Sequence, residues 1–156
     1  MEMKTSTPEW LQLEEVELIY RRKIKASARP LITNSADINR ILAQVWNQDK
    51  IDLLEEFKVL FLNRANRIIG VMDVSAGGIT GTVADPRIIL AAAVKCCAVS
   101  LILAHNHPSG NLKPSRADEQ LTVKIKEAAN WLDMAVLDHI IISSEGYYSF
   151  SDEGLL

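Results

Sequence analysis

Cysteine is almost missing from this chain of 156 residues: two occur, side by side, as Cys96-Cys97. Neighbouring cysteines cannot staple distant segments, which excludes a disulfide framework and makes a reducing cytoplasm the natural setting. They sit in AAAVKCCAVS, where small apolar residues suit a helix packed closely on a sheet, so both read as core residues. A second metal site built on them would need further Cys or His nearby in sequence, and none is there. Long apolar runs are lacking too. No stretch approaches the roughly 20 residues of a membrane span, and the first 20 residues carry acids in place of a signal-peptide core. Nor is there an excess of positive charge: 17 Lys and Arg against 20 Asp and Glu leave a net charge of −3. That balance gives no general pull toward nucleic acid or an anionic membrane. Arg21-Arg22-Lys23 with Lys25 is the one dense basic cluster, and it reads as a solvated strand end or loop. No internal repeat or low-complexity segment is visible.

What is present is a 48% hydrophobic composition, enough for one domain with a real core. Residues 1–13 lack periodicity and read as a loose lead-in, followed by an amphipathic strand over Glu14 to Tyr20. Residues 1–34 are therefore taken as lead-in and strand, and residues 35–156 as the domain proper. A helix starts near Ser35 as its N-cap, with Ile38, Ile41, Leu42 and Val45 on one face. Glu55 to Leu62 is an apolar strand, Asn63 to Asn66 a turn, and Arg67 to Val74 the returning strand of a hairpin. Gly77-Gly78 and Gly81 allow a bend. Asp85-Pro86 starts a helix running toward Ala98, with Asp85 as cap and Pro86 at the first helical position. Further strands follow at Leu101 to Ala104, Ala135 to Ile142 and Tyr147 to Phe150, with a helix over Ser115 to Trp131. This mixture of hairpins and intervening helices predicts an α/β fold, a mixed sheet covered by helices.

The chemistry is concentrated in LILAHNHPSGNLKPSRAD, Leu101 to Asp118. His105 and His107, two residues apart at a strand end, fall on one face. Pro108, Ser109 and Gly110 turn the chain, and Asp118 lies in the first turn of the next helix, where it can point back at the imidazoles. Two imidazoles and a carboxylate on converging elements make a three-ligand divalent-metal site with one position open, the layout of a catalytic zinc site. Asp118 has a rival reading. Ser115 and Asp118 have capping-box spacing, and a carboxylate that reaches back to the N-cap amide is not easily free for a metal. Asn106, between the histidines, faces the other way and braces the loop, while Ser109 and Gly110 shape the turn. Asp138 and His139 point to opposite sides of a strand, and His139 reads as a buried, hydrogen-bonded residue, not a ligand.

The spacing His-x-His, seven residues, Ser, two residues, Asp is that of the JAMM (JAB/MPN) metalloprotease motif. With HNHPSG, PSRAD and VLDHIII (Val136 to Ile142), the chain resembles the RadC family of bacterial JAB-domain proteins, historically called DNA-repair proteins, from about Ile51 to its end. The resemblance implies the JAB/MPN fold, related to the three-layer architecture of cytidine deaminases. It also implies Zn²⁺ as cofactor and peptide or isopeptide hydrolysis, with a metal-bound water attacking the amide carbonyl. The family's catalytic glutamate stands two residues before an apolar residue at a strand start, a pattern that Glu55-Glu56-Phe57 matches with Glu55. Its neighbour Glu56 would face the opposite side. Ser115 matches the family serine that helps hold the oxyanion, although it can also simply cap its helix. Members commonly carry a helix-hairpin-helix segment ahead of this domain. The first 50 residues show no such pattern, so the chain reads as a short form.

Spacing alone shows only metal-assisted hydrolysis, and two other classes compete with a protease. One is a nucleic-acid-processing or repair factor, which the family's history suggests and the acidic composition does not support. The other is a non-catalytic interaction module, which has no need of an intact ligand set and glutamate. A base deaminase would require His-x-Glu and a Pro-Cys-x-x-Cys pair, which Cys96-Cys97 does not supply. The expected partner is a protein or peptide substrate. Exposed sheet edges in so small a domain can also pair two copies as a homodimer or take an extended peptide.

Overall fold

The computed structural model describes residue 21 and residues 23–77 and 83–156. The lead-in, the strand proposed over Glu14 to Tyr20, and Gly78 and Gly81 lie outside them. The described elements run α1 (Ser35–Val45), β1 (Glu56–Leu62), β2 (Ile68–Ala76), α2 (Pro86–Lys95), β3 (Ser100–Asn106), α3 (Arg116–Asn130), β4 (Ala135–Ile142) and β5 (Tyr147–Ser149), after a short 3-10 turn at Ala26–Ala28. The strands form one mixed sheet in the order β2-β1-β3-β4-β5. All pairings are antiparallel except β3 with β4. A parallel pair needs a long crossover, and α3 supplies it. This is the α/β architecture that the sequence predicts, consistent with a JAB/MPN fold.

Alternation along the strands divides the core in two. Leu60, Leu62, Ile102, Ala104, Ile140 and Ile142 pack with Ile38, Ile41 and Leu42 of α1 on one face. Phe57, Val59, Phe61, Leu101, Leu103 and Val136 pack with Ile89 and Ala93 of α2 and with Ile125 and Ala129 of α3 on the other. Central β3 is buried at every position, as a strand covered on both faces must be.

Element ends depart from the sequence reading in informative ways. The N-cap of α1 is Asn34, not Ser35: Asn34 is extended and its side chain accepts from Asp37 N at 2.9 Å. Ser35 is already helical, and its hydroxyl instead donates to Asp152 Oδ2 at 2.5 Å. Asp85 caps α2 by accepting from Arg87 N, with Pro86 following it, as expected. That helix stops at Lys95, short of Ala98, because Cys97 takes a left-handed φ of 54°. The reversal, sealed by Ala98 N donating to Ala93 O at 2.9 Å, drops the chain into β3. It also corrects the core assignment of the cysteines: Cys96 is half-buried and Cys97 exposed. Val45, expected on the buried face of α1, is 41% exposed at the helix end.

Asp138 fastens the sheet's far edge. From its buried position, its carboxylate accepts from His139 N (2.7 Å), Ser151 N (3.0 Å) and Ser149 Oγ (2.7 Å), tying β4 to the turn after β5. Burial pushes this carboxyl up, against the lowering effect of those hydrogen bonds. Asp138→Ala, which strands these donors, should cost about 2–3 kcal/mol in denaturant unfolding, with Asn recovering most of it. A raised folded-state pKa means that the native state holds the proton more tightly. Stability relative to Asp138→Asn should therefore fall as pH rises from the ordinary carboxylate range through the raised value. Urea midpoints across that range measure it.

Candidate metal centre

β3 places His105 as its penultimate residue, between Phe57 of β1 and Ile141 of β4. The chain then leaves the strand, but His107 N still donates to Ile142 O at 3.0 Å, so backbone pairing continues under the second histidine. A tight turn closes with Gly110 N donating to His107 O at 3.0 Å, and Gly110 adopts φ 79°, open to glycine without strain. The turn residues act as the sequence predicts. At the start of α3, Ser115 and Asp118 form a complete capping box.

His105, His107 and Asp118 come together as one group, with a ligand atom from each within 4.8 Å of the others. The two Nε2 atoms are 3.0 Å apart. Asp118 Oδ1 is 3.4 Å from His105 Nε2, and Oδ2 is 3.7 Å from His107 Nε2. Bond lengths of 2.0–2.1 Å in a tetrahedral zinc site put adjacent donor atoms roughly 3.3 Å apart, so the spacing fits such an ion. His107 Nδ1 sits 2.5 Å from the carbonyl oxygen of Asn111. A carbonyl only accepts, so Nδ1 carries a proton and Nε2 is the nitrogen turned to the group. His105 is buried (side chain 1% exposed), whereas His107 and Asp118 keep 15% and 17% exposure, which leaves one side of the triad open.

Cap and candidate ligand are not exclusive at Asp118, contrary to the choice framed from sequence. Oδ2 accepts from Ser115 N at 2.7 Å and Ser115 Oγ at 2.6 Å while Oδ1 faces His105. Burial pushes the carboxyl up, but hydrogen bonding and charge from His105 and the bonds from Ser115 outweigh it, holding it well below the usual carboxylate range. The hydroxyl proton of Ser115 is directed at Asp118, and Ser115 Oγ accepts from Asp118 N at 3.2 Å.

Glu55 lies outside the three-residue group. It is the residue before β1, and Gly77 N donates to its carbonyl at 2.8 Å, which carries the β1–β2 ladder through this position. Strand parity puts it on the face of Phe57, whose ring stacks parallel to that of His105 at 6.0 Å. Glu56 is on the other face, its Oε2 3.7 Å from Lys58 Nζ. Asn106 braces this region. Fully buried, it donates to Ile51 O (2.6 Å) and Leu54 O (2.8 Å) and accepts from Glu56 N (2.7 Å).

Behind His105 lies His139, also fully buried, with Nε2 2.8 Å from His105 Nδ1. Burial and the neighbouring imidazoles hold His139 well below the usual histidine range, so it is neutral. It is buried and hydrogen-bonded, as the sequence suggests. Its partner Thr122, 2.6 Å from His139 Nδ1, belongs to none of the sequence motifs above. The available signal was its position four residues after Asp118, on the same helix face.

Residues 32–155 match the family model described as RadC-like JAB domain, and the chain belongs to that family. It is similar to a UPF0758 protein of Flavobacterium johnsoniae, 52% identical over 101 residues that cover 65% of this chain and 44% of that protein. It is also similar to UPF0758 proteins of Rubrobacter xylanophilus and Porphyromonas gingivalis. The first is 36% identical over 146 residues, covering 92% of this chain and 62% of that protein. The second is 48% identical over 103 residues, covering 65% and 45%. This chain thus spans between 44% and 62% of these relatives. Among the described residues no helix is long and apolar enough to cross a membrane.

Removing the brace beside Glu55 should be expensive. Asn106→Ala leaves two carbonyls and one amide without their partner, and should lower unfolding free energy by about 3 kcal/mol in urea titration.

Proposed function

We propose that this domain is a zinc-dependent hydrolase of the JAMM type that cleaves a peptide or isopeptide amide. The observation that carries the reading is the convergence of two Nε2 atoms and a carboxylate at 3.0–3.7 Å, open on one side. His105, His107 and Asp118 would hold a divalent ion, which would supply Lewis-acid chemistry toward a water molecule and an amide carbonyl. Glu55 is the general base, since parity directs Glu56 away from the histidines. It takes the proton of the attacking water and returns it to the leaving amine. Ser115 is the oxyanion donor in this reading, from its place beside Asp118 at the mouth of the triad. To serve, its hydroxyl must turn from Asp118 Oδ2 toward the developing charge. A protein or peptide is the partner in this reading, and a role in nucleic-acid processing is its rival.

Elemental analysis of untagged protein tests the centre. About one zinc per chain is expected, lost in His107→Ala and in Asp118→Ala. Zinc retained only in Asp118→Ala would reduce Asp118 to a helix cap, and no metal after zinc is added back would overturn the hydrolase. Glu55→Gln should keep the zinc and lose about 10²–10⁴-fold in turnover of peptide or isopeptide substrates. Metal-dependent nicking of DNA with no amide cleavage would favour the nucleic-acid reading.

A further inference from the structure

Thr122 and His139 link α3 to His105 by a route that passes behind the open face of the triad. Thr122 Oγ1 is 2.7 Å from the main-chain carbonyl oxygen of Asp118. Two oxygens that close need a proton between them, a carbonyl has none, and a hydroxyl has one, so Thr122 donates there. The same Oγ1, 2.6 Å from His139 Nδ1, must then accept, which puts the His139 proton on Nδ1 and leaves Nε2 bare. Bare Nε2 lies 2.8 Å from His105 Nδ1, so His105 donates to it and carries a proton on Nδ1. The His139 ring has no room to turn over: it is fully buried, stacked on Phe150 at 4.6 Å and tilted against Phe57 at 5.6 Å.

We infer that Thr122 and His139 are positioning residues for the metal centre, fixing the ring orientation and tautomer of His105 so that Nε2 faces the ion. The inference rests on the metal reading above and deepens it with two residues that touch neither the ligand triad's open side nor substrate. Histidine ligands usually lean on a carboxylate, a carbonyl or water. Here a neutral imidazole takes that part, and it is oriented only because a threonine one helical turn beyond Asp118 has its own proton committed. One hydrogen-bond chain therefore runs from one candidate ligand to another.

Zinc affinity, read by competition with a chromophoric chelator on the full chain, tests this against a merely structural role. Thr122→Val keeps the shape and removes the hydroxyl. It should weaken zinc binding about 10–100-fold, and Thr122→Ser, which keeps the hydroxyl, should restore it. Equal zinc affinity in wild type and Thr122→Val would overturn the inference and leave the site standing. A wild type that takes no zinc would overturn the site and the inference together. Ring-nitrogen NMR of the wild type gives a readout independent of the variants. A proton on His139 Nδ1 with Nε2 bare is expected, with and without zinc. A proton on His139 Nε2 would overturn the relay.

Discussion

The parallel pairing of β3 with β4 is the contact on which the site depends. Hydrogen-bonded neighbours that run the same way cannot be joined by a tight turn. The chain must climb out at the end of β3, cross over as α3, and re-enter at the start of β4. The beginning of the crossover helix is thus held at the end of β3 where the histidines stand. Asp118 meets them because of that topology, and the pairing of His107 N with Ile142 O holds the second histidine by its backbone while its side chain stays free to face the group.

Strand parity does the rest, by splitting three adjacent pairs between the face of the triad and a supporting one. His105 turns to the triad while Asn106 holds the 51–56 segment from the other side. His139 backs His105 while Asp138 fastens the turn after β5. Glu55 has the parity of Phe57, and Glu56 lies by Lys58, whose ammonium is also bonded to Asp73 at 2.5 Å and lies 4.7 Å over the Trp46 ring. Each residue next to a chemically interesting one carries load for the fold.

Much of this is legible in the amino-acid sequence alone. The His-x-His spacing at a strand end, the turn residues and the Ser-x-x-Asp start of α3 assign elements by period and capping, and the structure assembles them into one group. The mixed sheet followed from hairpins alternating with helices. Three things were not legible, each for a physical reason. Asn34 and Ser35 are both good caps, and only the backbone decides which one stays extended. Cys97 looked like core because the apolar run hides a left-handed residue that ends α2 early. The Thr122–His139 link depends on two atoms brought to 2.6 Å by the crossing of α3 over β4, a distance that no one-dimensional pattern records.

The capping box at Ser115 has a consequence for ion choice. Because Asp118 Oδ2 is held by the first turn of its own helix, the carboxylate is oriented by folding itself and has little rotamer freedom left to lose. A carboxylate held this way is ready-made as a candidate ligand. Donor atoms 3.0–3.7 Å apart, two of them imidazole nitrogens, match the ligand types and spacing of a zinc site, whereas calcium takes about six to eight oxygen ligands, more oxygens than this group offers. The same hydrogen bonds that begin α3 thus pre-set one carboxylate of the group.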